Sequence, residues 1–479
     1  MTIRKLWRIN CEEDGIFDHW ALTEPTVCPN NPAHTLLNVL LWSANSSPTV
    51  MFDVVVSKVE GEGNYTSIAE ALNDSNGIVF VRNGTYIETS DIVIPDRGIL
   101  QGESPGGVVV VLLGGARVVV DGSNGVKETT GTIDVISGSA NIVGTNTTFT
   151  NLSVGNFILI GNTYFHIASI TDDTNLSILN TYYGKSLTAQ NYIAQPMITG
   201  AVICNFVITG SSNSSIYFRA ARFSHAAFFA LTKSAVNLHV IDCGDCSFSK
   251  FSSTASLVGS GICVENSVDI SFQSVNIINN KTHGIEIMNN CNNISFDSCY
   301  STNNGQHGYE IQNSDHISIT DGTVKANNQN GINISTGGKQ VMVTSCSISQ
   351  NTIGIDMETD LNTVVGCTVN DNDTGIVCNG GCGVNDCIIN DNVGNGIELT
   401  DTNAVVAGNH VCNNGGIGIY VTGDDSMISN NRVHDNTGNG VELTNTAENN
   451  IVSTNNMKGN TGTNYVDNGV GTQNATNLS

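Results

Sequence analysis

The sequence predicts an all-β fold in which short parallel strands stack coil upon coil, with a small module ahead of the coils and a small β domain inserted among them. Three observations predict it. The glycines of recurring "G-apolar-x-apolar" units, Gly261, Gly284, Gly308, Gly331, Gly354, Gly375, Gly396, Gly418 and Gly440, are spaced by 23, 24, 23, 23, 21, 21, 22 and 22 residues, a coil of about 22. Within each unit the apolar residues alternate with period two, as in Ile285 and Ile287 or Ile397 and Leu399, which is strand and not helix geometry. An asparagine recurs in the same register, at Asn280, Asn304, Asn328, Asn351, Asn372, Asn392, Asn414 and Asn436. Its amide can bond the amide one coil above, and asparagine tolerates a left-handed bend. Coils that repeat in this way bury a continuous core between neighbours.

A further ladder, Cys299, Thr323, Cys346, Cys367, Cys387, Asn409 and Asn431, exchanges cysteine for other small side chains, so the slot asks for small size and not for a thiol. The 14 cysteines are accordingly expected to remain thiols for the most part. With 50 glycines, only 13% charged residues and a net charge of -25 at a pI near 4.5, the chain suits turns and short strands and repels nucleic acid. No apolar run is long enough to span a membrane, and none follows the opening basic residues, so the expectation is synthesis in a cytoplasm without a secretory signal.

Residues 1–52 form the first module. Its "WRINCEEDGIFDHWALTEPTVCPNNPAHTLLNVLLW" places Cys11, Cys28 and His34, with His19 as a fourth partner, where zinc could bind tetrahedrally; a disulfide and ordinary thiols are the alternatives, and no other cofactor is expected. Residues 53–124 follow, with "YTSIAEALN" and the strand-rich "IVFVRNGTYIETSDIVIPDRGILQGES". Residues 125–198 break the coil pattern with several short alternating strands and read as an inserted barrel or sandwich. Residues 199–479 are the long shaft and a polar tail. Inside it, "IYFRAARFSHAAFFALTKSA" is a seam against the insert or a subunit contact, with Arg219, Arg222 and Lys233 as its basic cluster.

Residues 53–124 and 199–460 resemble the right-handed single-stranded parallel β-helix of the pectin-lyase-like superfamily, "YTSIAEALN" being similar to its capping helix. The insert is similar to those of phage and virus tail or spike proteins, and the Cys-x16-Cys-Pro-x4-His pattern resembles a module of structural proteins of large viruses. These resemblances imply a virion-surface protein of spike or fibre type. They further imply attachment to a capsid or other virion proteins through the first module, a host-surface glycan as ligand, and a homotrimer as one assembly. The rival is a polysaccharide lyase, glycoside hydrolase or epimerase.

The enzyme reading rests on "THGIEI" and "QHGYEI". If Ile285 and Ile287 point inward, Glu286 and Glu310 stack outward about 4.8 Å apart, with Asp356 further along the column and His283 and His307 at its edge. Stacked carboxylates can divide acid and base roles. The hydrolase elements that accompany such a histidine in the family are missing, and the outward column reads equally as a solvated face. Tyr164, Tyr182 and Tyr183 in the insert are the expected sugar-stacking platforms.

Overall fold

The computed structural model describes residues 52, 54–75 and 77–478, together with the backbone of three earlier strands, Lys5–Cys11, Gly15–Ala21 and Leu36–Trp42. Those three strands pair antiparallel with Lys5–Cys11 in the middle. Of the expected zinc ligands, Cys28 and His34 lie outside the described residues, as does the side chain of Cys11.

From Val54 onward the chain is a right-handed parallel β-helix of about 23 residues per coil, with almost no helix. The one α-helix among the described residues, Ile68–Asp74, covers the first coils. Ser67 caps it by accepting from the Glu70 N–H, and the buried Glu88 accepts from the Ile68 N–H (2.7 Å) and the Ser67 hydroxyl (2.9 Å), placing an acid at the helix start. Ile68, Ala69, Ala71 and Leu72 face the core.

A typical coil holds three strands, Ile285–Met288, Asn292–Asp297 and Tyr300–Thr302, each paired in parallel with its counterparts one coil away. The bends between them are set by left-handed residues. Ser298 and Asn303 (φ 54° and 55°) have counterparts at Asp321 and Ala326, Ser345 and Gln350, and Asn430 and Asp435. The residue after each such bend points inward, and these positions form the two polar ladders. Asn280, Asn304, Asn327, Asn351, Asn372, Asn392, Asn414, Asn436 and Asn460 are linked Nδ2 to Oδ1 at 2.9–3.1 Å. The same Oδ1 also accepts the backbone N–H of the ladder residue one coil earlier. The ladder therefore runs through Asn327 and not Asn328, which is exposed, and the left-handed residue is the one before each asparagine and not the asparagine itself. The second ladder likewise runs through Gly322 and not Thr323: the Gly322 N–H points at Cys346 Sγ, and strand pairing opposes Cys299 to Gly322. Its upper end becomes a second amide chain, Asn409 to Asn431 to Asn455.

Because the coil spacing falls within the range of centroid separations that aromatic pairs favour, identical core positions stack. Phe248, Phe272 and Phe296 lie 5.1 and 4.8 Å apart with nearly parallel rings, and above them the slot passes to Ile319 and Val343. All twelve described cysteines but two are thiols; Cys378 and Cys382 are joined, with three residues between them.

Between the strands Val118–Asp121 and Ile198–Thr199, seven strands make an antiparallel sheet with its own core of Ile133, Ile142, Phe149, Ile158 and Ile167. Tyr164 seats this sheet on the shaft: it is 3% exposed, packs with Phe157 and Val268, and donates to the Asp242 carbonyl. Arg222 lies over Phe157 and Tyr164 and pairs with Asp245 at 2.6 Å, while Lys127 pairs with the buried Asp242 at 2.6 Å. The 216–235 stretch is thus an intramolecular seam at Arg222.

Candidate functional site

The long sheet of fourteen parallel strands carries one outward column. Strand register runs Tyr217, His239, Cys263, Glu286, Glu310, Asn333, Asp356, Val377 and Glu398, one residue per coil. Alternation alone places these side chains away from the core. From Glu310 to Val377 they are nonetheless buried, Glu310 at 3% and Asp356 at 8% exposure, and Glu286 is half-buried, so this part of the column is the floor of a groove and not the solvated face that its polarity suggested.

The groove walls are turn residues that reach over the strands. Glu310 accepts from Gln312 Nε2 (2.8 Å), Asn333 Nδ2 (2.8 Å) and Ser335 Oγ (2.7 Å), which fixes the carboxyl in place. Asp356 accepts from Asn330 Nδ2 and Asn379 Nδ2, both at 3.2 Å. Burial, with Glu358 adding repulsion, pushes the Asp356 carboxyl up to about 6 despite the Asn330 bond. Glu286 accepts from Ser260 at 2.7 Å; burial raises its pKa, the Ser260 bond opposes the rise and Glu310 adds to it.

His283 and His307 stack with centroids 5.3 Å apart and rings nearly parallel. The His307 Nδ1 accepts the Asn330 backbone N–H at 3.1 Å, which leaves the Nε2 proton facing Glu310 Oε2 at 3.7 Å. Burial lowers the pKa of both rings, with Glu310 pulling the other way, and the buried Nδ1 of His283 has no partner. Above His307 and Asp356 a cavity of about 360 Å3 is lined also by Gln329, Asn330, Asn333, Thr352 and Glu358.

The structure therefore brings Glu286, Glu310, Asp356, His283 and His307 to one groove. Below them it adds residues that the repeat reading did not single out. His239 bonds Glu265 at 2.8 Å, Tyr217 meets the His239 ring edge to face, and Arg117 lies 4.8 Å over Tyr217. The signal for His239 was present: it occupies the outward slot of "VNLHVI", one coil before Cys263. Asn330 and Glu358 carried no such signal, because they sit on bends whose height over the strands the repeat does not encode. The tyrosines of the insert do not fit a sugar platform as a set. Tyr164 and Tyr182 are buried, the latter donating to the Lys185 carbonyl, and only Tyr183 is exposed, at 82%.

Chemically, the groove offers one carboxyl that holds its proton up to about pH 6, a second anchored by three donors, and an imidazole beside the second. That set can hold hydroxyl-rich ligands and can move a proton. Among the described residues, three groups of side chains could converge on a metal. In His239, Cys263 and Glu265 the imidazole is already spent on the carboxylate, and in His283, His307 and Glu310 the rings are parallel. Only in His410, Cys412 and His434 do the ring nitrogens meet.

Residues 260–405 match the family described as the right handed beta helix region, and residues 356–477 match that described as periplasmic copper-binding protein (NosD). No curated protein matches the chain. Among solved structures it is similar to a tailspike of Acinetobacter baumannii bacteriophage AP22 in complex with capsular saccharide (12% identity, 84% of this chain and 73% of that one, TM-score 0.45). It is similar also to a Pseudomonas phage phi297 tailspike (11%, 85% and 72%, 0.43) and to the A-module of an Azotobacter vinelandii mannuronan C-5 epimerase (13%, 85% and 94%, 0.30). These likenesses concern the course of the chain; the fold itself rests on its own strand register. No helix among the described residues is long and apolar enough to cross a membrane.

Proposed function

We propose that the protein is a rigid glycan-engaging shaft of spike or fibre type, which takes a neutral or weakly charged polysaccharide along the groove above Glu286, Glu310 and Asp356. The observation that carries this reading is the groove: outward carboxylates and amides that are pre-bonded, desolvated and open to a cavity beside His307. Such fixed donors and acceptors recognise hydroxyls at little ordering cost. A floor of three acids disfavours a polyuronate. Rigidity is supported by the unbroken strand ladders. On this reading residues 1–52 hold the shaft to a capsid or other virion proteins, copies assemble as homotrimers, and the protein stands at the virion surface after synthesis in the host cytoplasm. Antibody labelling of purified particles and sedimentation of the full chain decide those points.

The test of the groove is binding of the full chain to immobilised neutral and acidic polysaccharides. Asn330→Ala and Asp356→Asn should weaken retention about tenfold, the loss of one or two hydrogen bonds; retention equal to wild type in both variants refutes the groove as the site.

A second reading, turnover of that polysaccharide, is favoured by one observation: Asp356 holds its proton up to about 6 while the anchored Glu310, two coils away, supplies an acceptor. New reducing ends or unsaturated products that vanish in the Glu286→Gln, Glu310→Gln double variant would make the protein an enzyme; binding without products leaves it an attachment shaft.

The family name matched by residues 356–477 mentions copper, which asks for soft donors. Among the described residues of that span Cys378 and Cys382 are consumed by each other, and His410, Cys412 and His434 form the one soft-donor cluster.

A further inference from the structure

Away from the groove, on another sheet of the shaft, the strands His410–Cys412 and Arg432–His434 lie in register, with Cys412 beneath His434 and His410 beneath Arg432. Val411 and Val433 point to the core, so the flanking side chains point out. The rings of His410 and His434 lean together across the diagonal, and their Nε2 atoms meet at 2.6 Å. The Nδ1–H of His434 donates to Asp435 Oδ2 at 2.7 Å, which leaves His434 Nε2 as a lone pair and makes His410 Nε2 the donor of the shared proton. Cys412 Sγ completes the group; all three donor atoms lie within 4.8 Å of one another, and Cys412 is a free thiol 7% exposed. One coil below Cys412, Asn390 spends its amide nitrogen on Asp391 while its buried Oδ1 has no partner.

We propose that His410, Cys412 and His434 form a binding site for one thiophilic late transition-metal ion, Cu(I) or Zn(II). Two imidazoles and a thiolate are the ligand set such ions prefer, and a carboxylate behind one imidazole is the usual orienting partner. An ion bound at about 2.0–2.3 Å from each donor needs them roughly 3.3–3.6 Å apart. The two nitrogens would open slightly and the sulfur close in, by side-chain rotation alone. The ion displaces the thiol proton, and the proton on His410 Nε2 moves to that ring's own Nδ1, so both rings bind through Nε2 as neutral imidazoles. Among charged neighbours, Arg432 beside His410 and Lys458 one coil above His434 oppose a cation, while Asp391 and Asp435 favour it. The inference is independent of the glycan reading.

The test uses the purified full chain, loaded separately with Cu(I) under reductant and with Zn(II), passed through gel filtration and assayed for retained metal against chelators of graded strength. Cobalt(II) loading adds a spectroscopic readout, a thiolate-to-metal absorption in the near ultraviolet. Wild type should retain one more equivalent than the His410→Gln, His434→Gln double variant, and Cys412→Ser should lose the cobalt absorption. Asp435→Asn, which touches only the orienting bond, should weaken binding about tenfold or more. All these side chains point outward, and an unchanged thermal melt shows that each variant folds. The ion that survives the stronger chelator identifies the metal. Retention of neither ion by wild type, or equal retention by wild type and the double variant, overturns the proposal.

Discussion

Asn327→Ala, set beside Asn328→Ala, tests the register of the buried amide ladder. Asn327 is 3% exposed, and its Oδ1 accepts both the Asn304 backbone N–H (3.1 Å) and Asn304 Nδ2 (2.9 Å). Its Nδ2 donates to the Ser301 carbonyl (3.2 Å) and to Asn351 Oδ1 (3.1 Å). Truncation leaves the buried Asn304 N–H without an acceptor, at about 1–3 kcal/mol, and removes three further bonds worth about 0.5–1.5 kcal/mol each. The expected local loss is about 3–5 kcal/mol. Asn328 is exposed, and its truncation should cost less than about 0.5 kcal/mol. Since a solenoid opens coil by coil, the suitable assay is hydrogen exchange on peptides covering residues 299–310. There Asn327→Ala should accelerate exchange about 100-fold or more, at tenfold per 1.4 kcal/mol. Equal protection in the two variants, or a larger loss for Asn328→Ala, would refute the ladder.

Three more expectations follow from the same geometry. Phe272→Ala opens the stack between Phe248 and Phe296 and should cost about 3–5 kcal/mol, read as a lowered urea midpoint. In Gly308→Ala the new methyl would meet the Gly331 carbonyl oxygen and Val324 Cγ1, each at 2.5 Å, so a loss of about 1–3 kcal/mol is expected in thermal melts, and an unchanged melt would contradict the close coil approach. Asp356 is held at about 6 in the folded chain against an ordinary 3.8, so the folded state carries the extra proton between those values. Its contribution to stability is therefore full below about pH 4 and lost as pH rises through about 6; Asp356→Asn should flatten that part of a pH series of urea midpoints.

The amino-acid sequence determined the coil and its two faces, because strand alternation and repeat length are local properties: Ile285 and Ile287 inward and Glu286 outward follow from a period of two, and the pairing of Glu286 with Glu310 from one coil of spacing. Register at the bends was less legible. Coils of 20 to 24 residues absorb their differences there, so a nearly constant interval pointed to Asn328 and Thr323 where the inward slots hold Asn327 and Gly322. Tertiary structure alone decided burial and convergence. It roofed the acids with Asn330 and Glu358, sank Tyr164 into the seam beside Arg222, and leaned His410 against His434 across two coils. Those outcomes depend on how high a turn rises and which rotamer a neighbour allows, quantities set by contacts between coils that no single coil encodes.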